Sequence, residues 1–318
     1  SRRARRAPAV SAAVSITTQG ETLTLADRSG EPLRPFLVWL DSRAENEAQA
    51  LRSVLDNETF YKTTGLPEVT GALPLAKLLW LRKHEPDTFA RAHKLLLLED
   101  YLLHWLTGRF VSEKSLQTST GWFDLHSDGL WHSGLAAAGA SAELLPELLE
   151  CGAPAGSLLP GPAAELGLPP NIPVVAGAMD QTAAALAAGC TRPGTVTETT
   201  GTALVMAACT DAPMFRSGHH VTVYRHALPG KYLYLPIGNT AGSGVARGSG
   251  TNSAATFPQE QRDMQRWTRW CKASPAGATG WRSCRFYPAA WIPTPVPKPA
   301  PYSSARGFPP RGPISPAA

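Results

Sequence analysis

The chain has 318 residues, enough for one large domain or two ordinary ones, and 43% of them are hydrophobic, enough for a sizeable core. No apolar run approaches the ~18 residues of a membrane-crossing helix, so no helical span is expected. The net charge of +5 is uneven: residues 246–318 hold ten Lys/Arg against two acids, Glu260 and Asp263, leaving −3 on the rest. That distribution argues against a uniformly basic, nucleic-acid-binding protein.

The chain opens on Ser1 with arginines at positions 2, 3, 5 and 6. The apolar stretch behind them, residues 7–13, is too weak for a signal peptide. A start inside a longer reading frame is the plainer expectation, an Arg-rich transit peptide the other. Strands are expected at residues 13–17 and 21–26, the second closed by the turn signal Asp27-Arg28-Ser29-Gly30. Residues 36–40 read as another apolar strand ending at Asp41. Residues 43–55 carry good helix formers. Residues 74–84 are a helix with Leu75, Leu78, Leu79 and Trp80 along one face and Pro74 suited to its first turn.

Residues 94–98 read as a buried strand, residues 100–106 as a helix stopped by Gly108, and residues 131–150 as two short helices. Residues 171–176 form a strand entered from a proline-rich turn. A tight connection, Gly177-Ala178-Met179-Asp180, leads into a helix of small residues at 181–189, ended by Gly189. Two β-prone runs at 195–200 and 203–208 flank Gly201-Thr202, a hairpin signature. Leu235 is the last leucine in the chain; beyond it the sequence turns proline-rich, with 12 of the 29 prolines after residue 245. Such a composition gives little for a core, and the stretch reads as a disordered Pro/Arg-rich tail.

The five cysteines, Cys151, Cys190, Cys209, Cys271 and Cys284, form no CxxC pair and no zinc-ligand spacing. They are expected to be free thiols in a reducing cytoplasm. His219 and His220 adjoin, which on a strand sends them to opposite faces, so no metal site is expected there.

Several residues could carry chemistry. Asp180 closes a strand and opens a helix, where ligands of α/β proteins gather and a negative charge is favoured. Its plain alternative is a helix N-cap. Gly201 and Thr202 sit in a turn where backbone N–H groups and a hydroxyl can approach a phosphate; the alternative is an ordinary hairpin turn. Gln19-Gly20-Glu21 and Trp39-Leu40-Asp41-Ser42-Arg43 each follow a strand. Glu21 could accept bonds from substrate hydroxyls and Trp39 could stack on a sugar face. Core packing is the alternative for Trp39, and a local ion pair and helix cap for Asp41 and Arg43.

Taken in order, these pieces resemble the FGGY carbohydrate kinase family. The matching segments are TTQGET at 17–22, VWLDSRA at 38–44, TGLP at 64–67, PLAKLLWLRKHEP at 74–86 and LLLLEDYLLHWLTG at 95–108. TSTGWFDL at 118–125, AGAMDQTAAALAAG at 176–189, TETTGTALVM at 197–206 and GNTAGSG at 238–244 complete the set. The resemblance covers residues 12–245, about three quarters of the chain. It rests on their order and spacing rather than on any single motif.

The resemblance implies an α/β, actin-like ATPase fold built from ribonuclease-H-like domains. Residues 1–189 would be a partial, substrate-binding N-terminal domain and 190–245 the start of the nucleotide-binding one, ahead of the tail at 246–318. It implies transfer of the γ-phosphoryl of ATP, with Mg²⁺, to a small sugar or polyol. Asp180 would be the general base, with Gln19, Glu21, Trp39, Asp180 and Gln181 on the substrate and Gly201 and Thr202 on the ATP phosphates. It assigns no metal ligand in this chain and no nucleic-acid or membrane partner, and it admits a homodimer.

The departures are specific. Gly20 stands where glycerol kinases carry Arg, and Ala72 stands near the position of their substrate-contacting Tyr. Gly20-Glu21 stands where xylulokinases carry Met-His. The acceptor is therefore neither clearly glycerol nor clearly xylulose. The resemblance implies an Asp-x-Gly-Thr phosphate hairpin before residue 12, which is not read there, and helices of a second domain past Gly244, where the leucine-free tail is read instead. The expectation is a truncated N-terminus, a frame slip from about residue 246 and impaired activity. A genuine disordered tail with an acidic or SH3-like partner, a non-catalytic sugar- or nucleotide-binding remnant, an actin-like ATPase regulator, and a DNA-binding tail are the competing readings.

Overall fold

The computed structural model describes residues 13–200, 204–215 and 220–238, and the chain within them is α/β. The tail expectation for 246–318, and Gly201, Thr202, His219, Cys271 and Cys284, lie outside the described residues.

The strand Val14–Ser15 runs parallel to Pro173–Val175, which pairs antiparallel on its other side with Pro154–Ser157. The strand Leu23–Ala26 pairs antiparallel with Lys94–Leu97, Leu23 opposite Leu97 and Ala26 opposite Lys94. Every residue of Leu23–Ala26 is buried, although the Thr-Leu alternation reads as a half-exposed strand. The threonine face is tolerated because the Thr24 hydroxyl donates to the Arg34 carbonyl at 2.8 Å. The turn at 27–30 forms as read: the Asp27 carboxylate accepts the N–H groups of Ser29 and Glu31, and Gly30 takes a φ of 87°.

The helix Pro74–His84 has the bounds that its sequence predicts, with Pro74 in the first turn. From Pro74 to Leu81 it is enclosed on nearly all sides, with Lys77 and Leu81 as buried as Leu75 and Leu78, and only its last turn, Arg82, Lys83 and His84, is exposed. Its neighbours in the main core include Phe60, Leu66, Leu95, Leu97, Trp122 and Met179. The strand Lys94–Leu97 and the helix Leu98–Thr107 follow, and Gly108 ends the helix in the left-handed conformation.

One expectation is corrected and another is extended. Residues 36–40 are not a strand: Leu37 makes a single bridge to Leu23, while Val38, Trp39 and Leu40 are exposed. The Trp39 N–H donates to the Thr22 hydroxyl at 3.0 Å, so the segment turns away from the ladder. Within residues 131–150 the helix His132–Ala137 and a short 3₁₀ turn form. The stretch then ends in a strand, Glu147–Leu149, parallel to Val111–Glu113.

The last described portion is an antiparallel sheet in the order Val196–Thr200, Leu204–Thr210, Tyr232–Tyr234, Val223–Arg225, with Ile237–Gly238 also pairing to Leu204–Thr210. The predicted hairpin is there, with Thr200 opposite Leu204. The sheet is fastened to the helix Asn57–Thr64: the Val223 N–H donates to the Gly65 carbonyl at 2.8 Å, and the Tyr61 hydroxyl donates to the Val221 carbonyl at 3.0 Å. Arg225, 4% exposed, is held by the carboxylates of Asp128 and Glu150, which Lys114 also meets.

Candidate active site

Because Val14–Ser15 and Pro173–Val175 are parallel neighbours, the loops that leave their C-terminal ends emerge side by side. That is where α/β proteins place their ligands. The Thr17 hydroxyl donates to the Ala178 carbonyl at 2.7 Å, and the Asp180 N–H donates to the Thr18 carbonyl at 2.9 Å. The first loop carries Gln19 and Glu21, the second Asp180 and Gln181. Their close approach depends on Gly177, where a Cβ would lie 1.5 Å from the Ile16 carbonyl oxygen. No other residue fits that contact.

Asp180 is the first residue of the helix Asp180–Ala187; Met179 is the N-cap, and no side chain caps the helix. The N-cap alternative for Asp180 is therefore excluded. Its carboxylate accepts the Gln181 N–H at 2.7 Å and otherwise faces solvent. Partial burial raises its pKa above the usual carboxylate range, and the Gln181 bond offsets part of that rise.

Glu21 adopts a φ of 63°, uncommon for a side-chain-bearing residue. Burial pushes its carboxyl up to about 7, against the opposing pull of Lys77. Lys77 itself is fully buried, with its amine lowered to about 8 by desolvation. Its ammonium donates to the carbonyls of Val38 at 2.9 Å and Glu21 at 3.3 Å, so one buried cation holds the backbone of both loops that carry Glu21 and Trp39. Gln19 donates to the Thr22 hydroxyl at 2.9 Å, and that hydroxyl accepts the Trp39 N–H, which makes Gln19 part of the support for Trp39. Trp39 is 46% exposed, so the core-packing alternative does not hold. Asp41 and Arg43 do form a local ion pair, at 2.7 Å, but the helix Glu45–Val54 starts beyond them with Ala44 at its N-cap.

Gly20 has no room for a side chain without movement of its neighbours: a Cβ there would lie 2.7 Å from the Ser119 hydroxyl oxygen and 3.2 Å from the Met179 sulfur. Sequence reasoning missed the roles of Lys77, Tyr224 and Glu113. Tyr224 is buried, and the nearby carboxylates of Glu21 and Asp180 join burial in raising its phenol. Glu113 lies beneath the Gly177–Met179 turn. No local pattern announces any of them, because tertiary partners decide which charged or phenolic groups are buried. Among the described residues no group of three His, Cys, Asp or Glu side chains could hold a metal ion, and no helix is long and apolar enough to cross a membrane. Cys151, Cys190 and Cys209 are free thiols.

The strand-end site and its α/β frame define a class that comparison identifies. Residues 7–187 match the N-terminal domain of the FGGY family of carbohydrate kinases. The chain belongs to that family, as the motifs from TTQGET to AGAMDQTAAALAAG imply. Among curated relatives it is 31% identical over 232 residues to the xylulose kinase of Escherichia coli (strain K12), covering 73% of this chain and 47% of that protein. It is 29% identical over 226 residues to the autoinducer-2 kinase of Salmonella choleraesuis (strain SC-B67), covering 69% and 41%. Its fold matches the xylulose kinase of Rhodospirillum rubrum with a TM-score of 0.71 at 29% identity, over 85% of this chain and 54% of that one. The glycerol kinase of Plasmodium falciparum, at 22% identity and a TM-score of 0.67, shares the fold. That fold is the actin-like ATPase fold. The chain spans about half the length of the curated relatives it matches.

Proposed function

We propose that this chain binds a small sugar or polyol on the Gln19–Glu21 and Trp39 side and presents one of its hydroxyls to Asp180. Asp180 then acts as general base in phosphoryl transfer from ATP. The observation that carries the reading is the joining of the two strand-end loops. The Asp180 N–H bonded to the Thr18 carbonyl sets the carboxylate beside the segment that bears Gln19 and Glu21. A carboxyl raised by partial burial is a stronger base than an ordinary one. Glu21, Gln181 and the exposed Trp39 face supply hydrogen bonds and stacking for hydroxyls and the sugar face. Transfer of this kind depends on positioning and electrostatics. ATP supplies the phosphoryl group and Mg²⁺ the neutralising charge. Gly201 and Thr202, which lie outside the described residues, would meet the ATP phosphates.

The test is ATP consumption, measured in a coupled assay with and without each of a panel of ketoses, aldoses and polyols that includes xylulose and glycerol. Weak turnover that depends on one of them is expected, the activity of this chain being impaired. Binding of a sugar with no turnover, or neither, would overturn the reading.

A further inference from the structure

Three carboxylates are buried below the turn that delivers Asp180, and two of them hold it. Glu113 ends the strand Val111–Glu113 and accepts five donors: the N–H of Ser115, the N–H of Leu116, the Ser115 hydroxyl, the Cys151 thiol and, from 66 residues away, the N–H of Met179 at 2.9 Å. The Ser115 hydroxyl stands 3.1 Å from the same Met179 nitrogen. Glu99 accepts the Gly177 N–H at 3.1 Å. The other edge of the turn is held by Thr17 and Thr18. From Gly177 to Asp180, each residue thus has a backbone group bound by a partner outside the turn.

We infer that Glu113 is a positioning residue for Asp180: it fixes the Gly177–Met179 turn from below, so the carboxylate of Asp180 meets the acceptor hydroxyl in one orientation. This rests on the reading of Asp180 as the base. A cap for the following helix does not explain Glu113. Lys114–Gln117 has only four residues, and a Ser or Asn would cap it without burying a charge. Taking a carboxylate out of water is costly unless it is well bonded. The longer Glu side chain accounts for the extra contact, since it carries the carboxylate past the local cap to Met179. Glu99 and Asp100 share the pocket, and each has one buried oxygen with no hydrogen-bond partner. Burial and the facing carboxylates of Glu113 and Asp100 raise Glu99 to about 9, which limits the negative charge that the pocket carries.

The experiment uses the full chain and the variants Glu113→Asp, Glu113→Gln and Ser115→Ala. Amide hydrogen exchange is followed at residues 177–181, with the helix Pro74–His84 as the internal reference for folding. Glu113→Asp keeps the charge and the local cap but draws the carboxylate back from Met179. Exchange at Met179 and Asp180 is expected to speed up at least tenfold in Glu113→Asp, with the reference helix unchanged, and in Ser115→Ala by a smaller factor. Sugar-dependent kcat is expected to fall at least tenfold with KM within threefold, a split that a purely structural role would not give. Glu113→Gln, which keeps the length, is expected to retain more of kcat than Glu113→Asp. If the folded variants protect residues 177–181 as well as the parent does, or if kcat and KM move together, the inference is overturned. A parent chain with no sugar-dependent turnover overturns the kinase reading instead, and the exchange measurement then decides the positioning by itself.

Discussion

Replacing Glu21 by Gln removes one titratable group from the acceptor side without changing its size. The native chain holds the Glu21 carboxyl at about 7, raised from an ordinary 4.5 chiefly by burial. Between those values the folded protein keeps a proton that the unfolded chain has released. Stability is therefore full below about pH 4.5 and is lost as the pH rises through 7. One such proton changes stability by about 1.4 kcal/mol per pH unit, or about 3 kcal/mol across the window. Asp100 and Glu99 are also raised, to about 7 and about 9, but both remain in the variant and cancel in the difference. Lys77 is lowered to about 8, so it changes charge mainly above this window. Urea unfolding followed by tryptophan fluorescence at half-unit steps from pH 4.5 to 7.5 gives the comparison. The variant is expected to gain about 3 kcal/mol on the parent from the low end to the high end. A difference that stays within about 1 kcal/mol would show that water reaches the Glu21 carboxyl freely and that burial does not raise it.

Two further substitutions separate scaffold from site. Gly177→Ala places a methyl against the Ile16 carbonyl, a contact that only backbone movement relieves. It is expected to destabilise the protein by about 1–3 kcal/mol or more and to lower the thermal midpoint. Trp39→Ala removes an indole that is 46% exposed. It is expected to leave stability within about 0.5 kcal/mol and to weaken acceptor binding at least tenfold by calorimetry.

Local chemistry explains what could be read from the sequence. The bounds of Pro74–His84, the turn at Asp27–Gly30 and the stop at Gly108 follow from proline, aspartate and glycine acting within a few residues of themselves. Asp180 and Glu21 were legible as residues beside strand ends. The run from Phe36 to Leu40 misled because its composition suits a strand, whereas Pro32 and Pro35 lie just before it and Leu23 offers a single bridge. Glu147–Leu149 was hidden for a related reason: what makes it a strand is the free edge of Val111–Glu113, distant in sequence. The Trp39 face was open to either reading, and the bond from its N–H to Thr22 decides it. Lys77, Glu113 and Tyr224 could not be found locally at all. The carbonyls that meet Lys77 come from 39 and 56 residues away, the Met179 N–H that Glu113 accepts beyond its local donors comes from 66 residues away, and Tyr224 is influenced by carboxylates of both loops.

The proposed chemistry turns on Asp180. Sugar-dependent ATP consumption by the full chain, compared with Asp180→Asn at saturating acceptor, tests it most directly. The substitution keeps the shape and the bond to the Gln181 N–H but cannot accept the hydroxyl proton. Removal of a general base is worth ~10²–10⁴-fold in rate, so turnover is expected to fall by at least two orders of magnitude while the acceptor still binds. Turnover in Asp180→Asn within a few-fold of the parent would contradict the assignment of this carboxylate as the base.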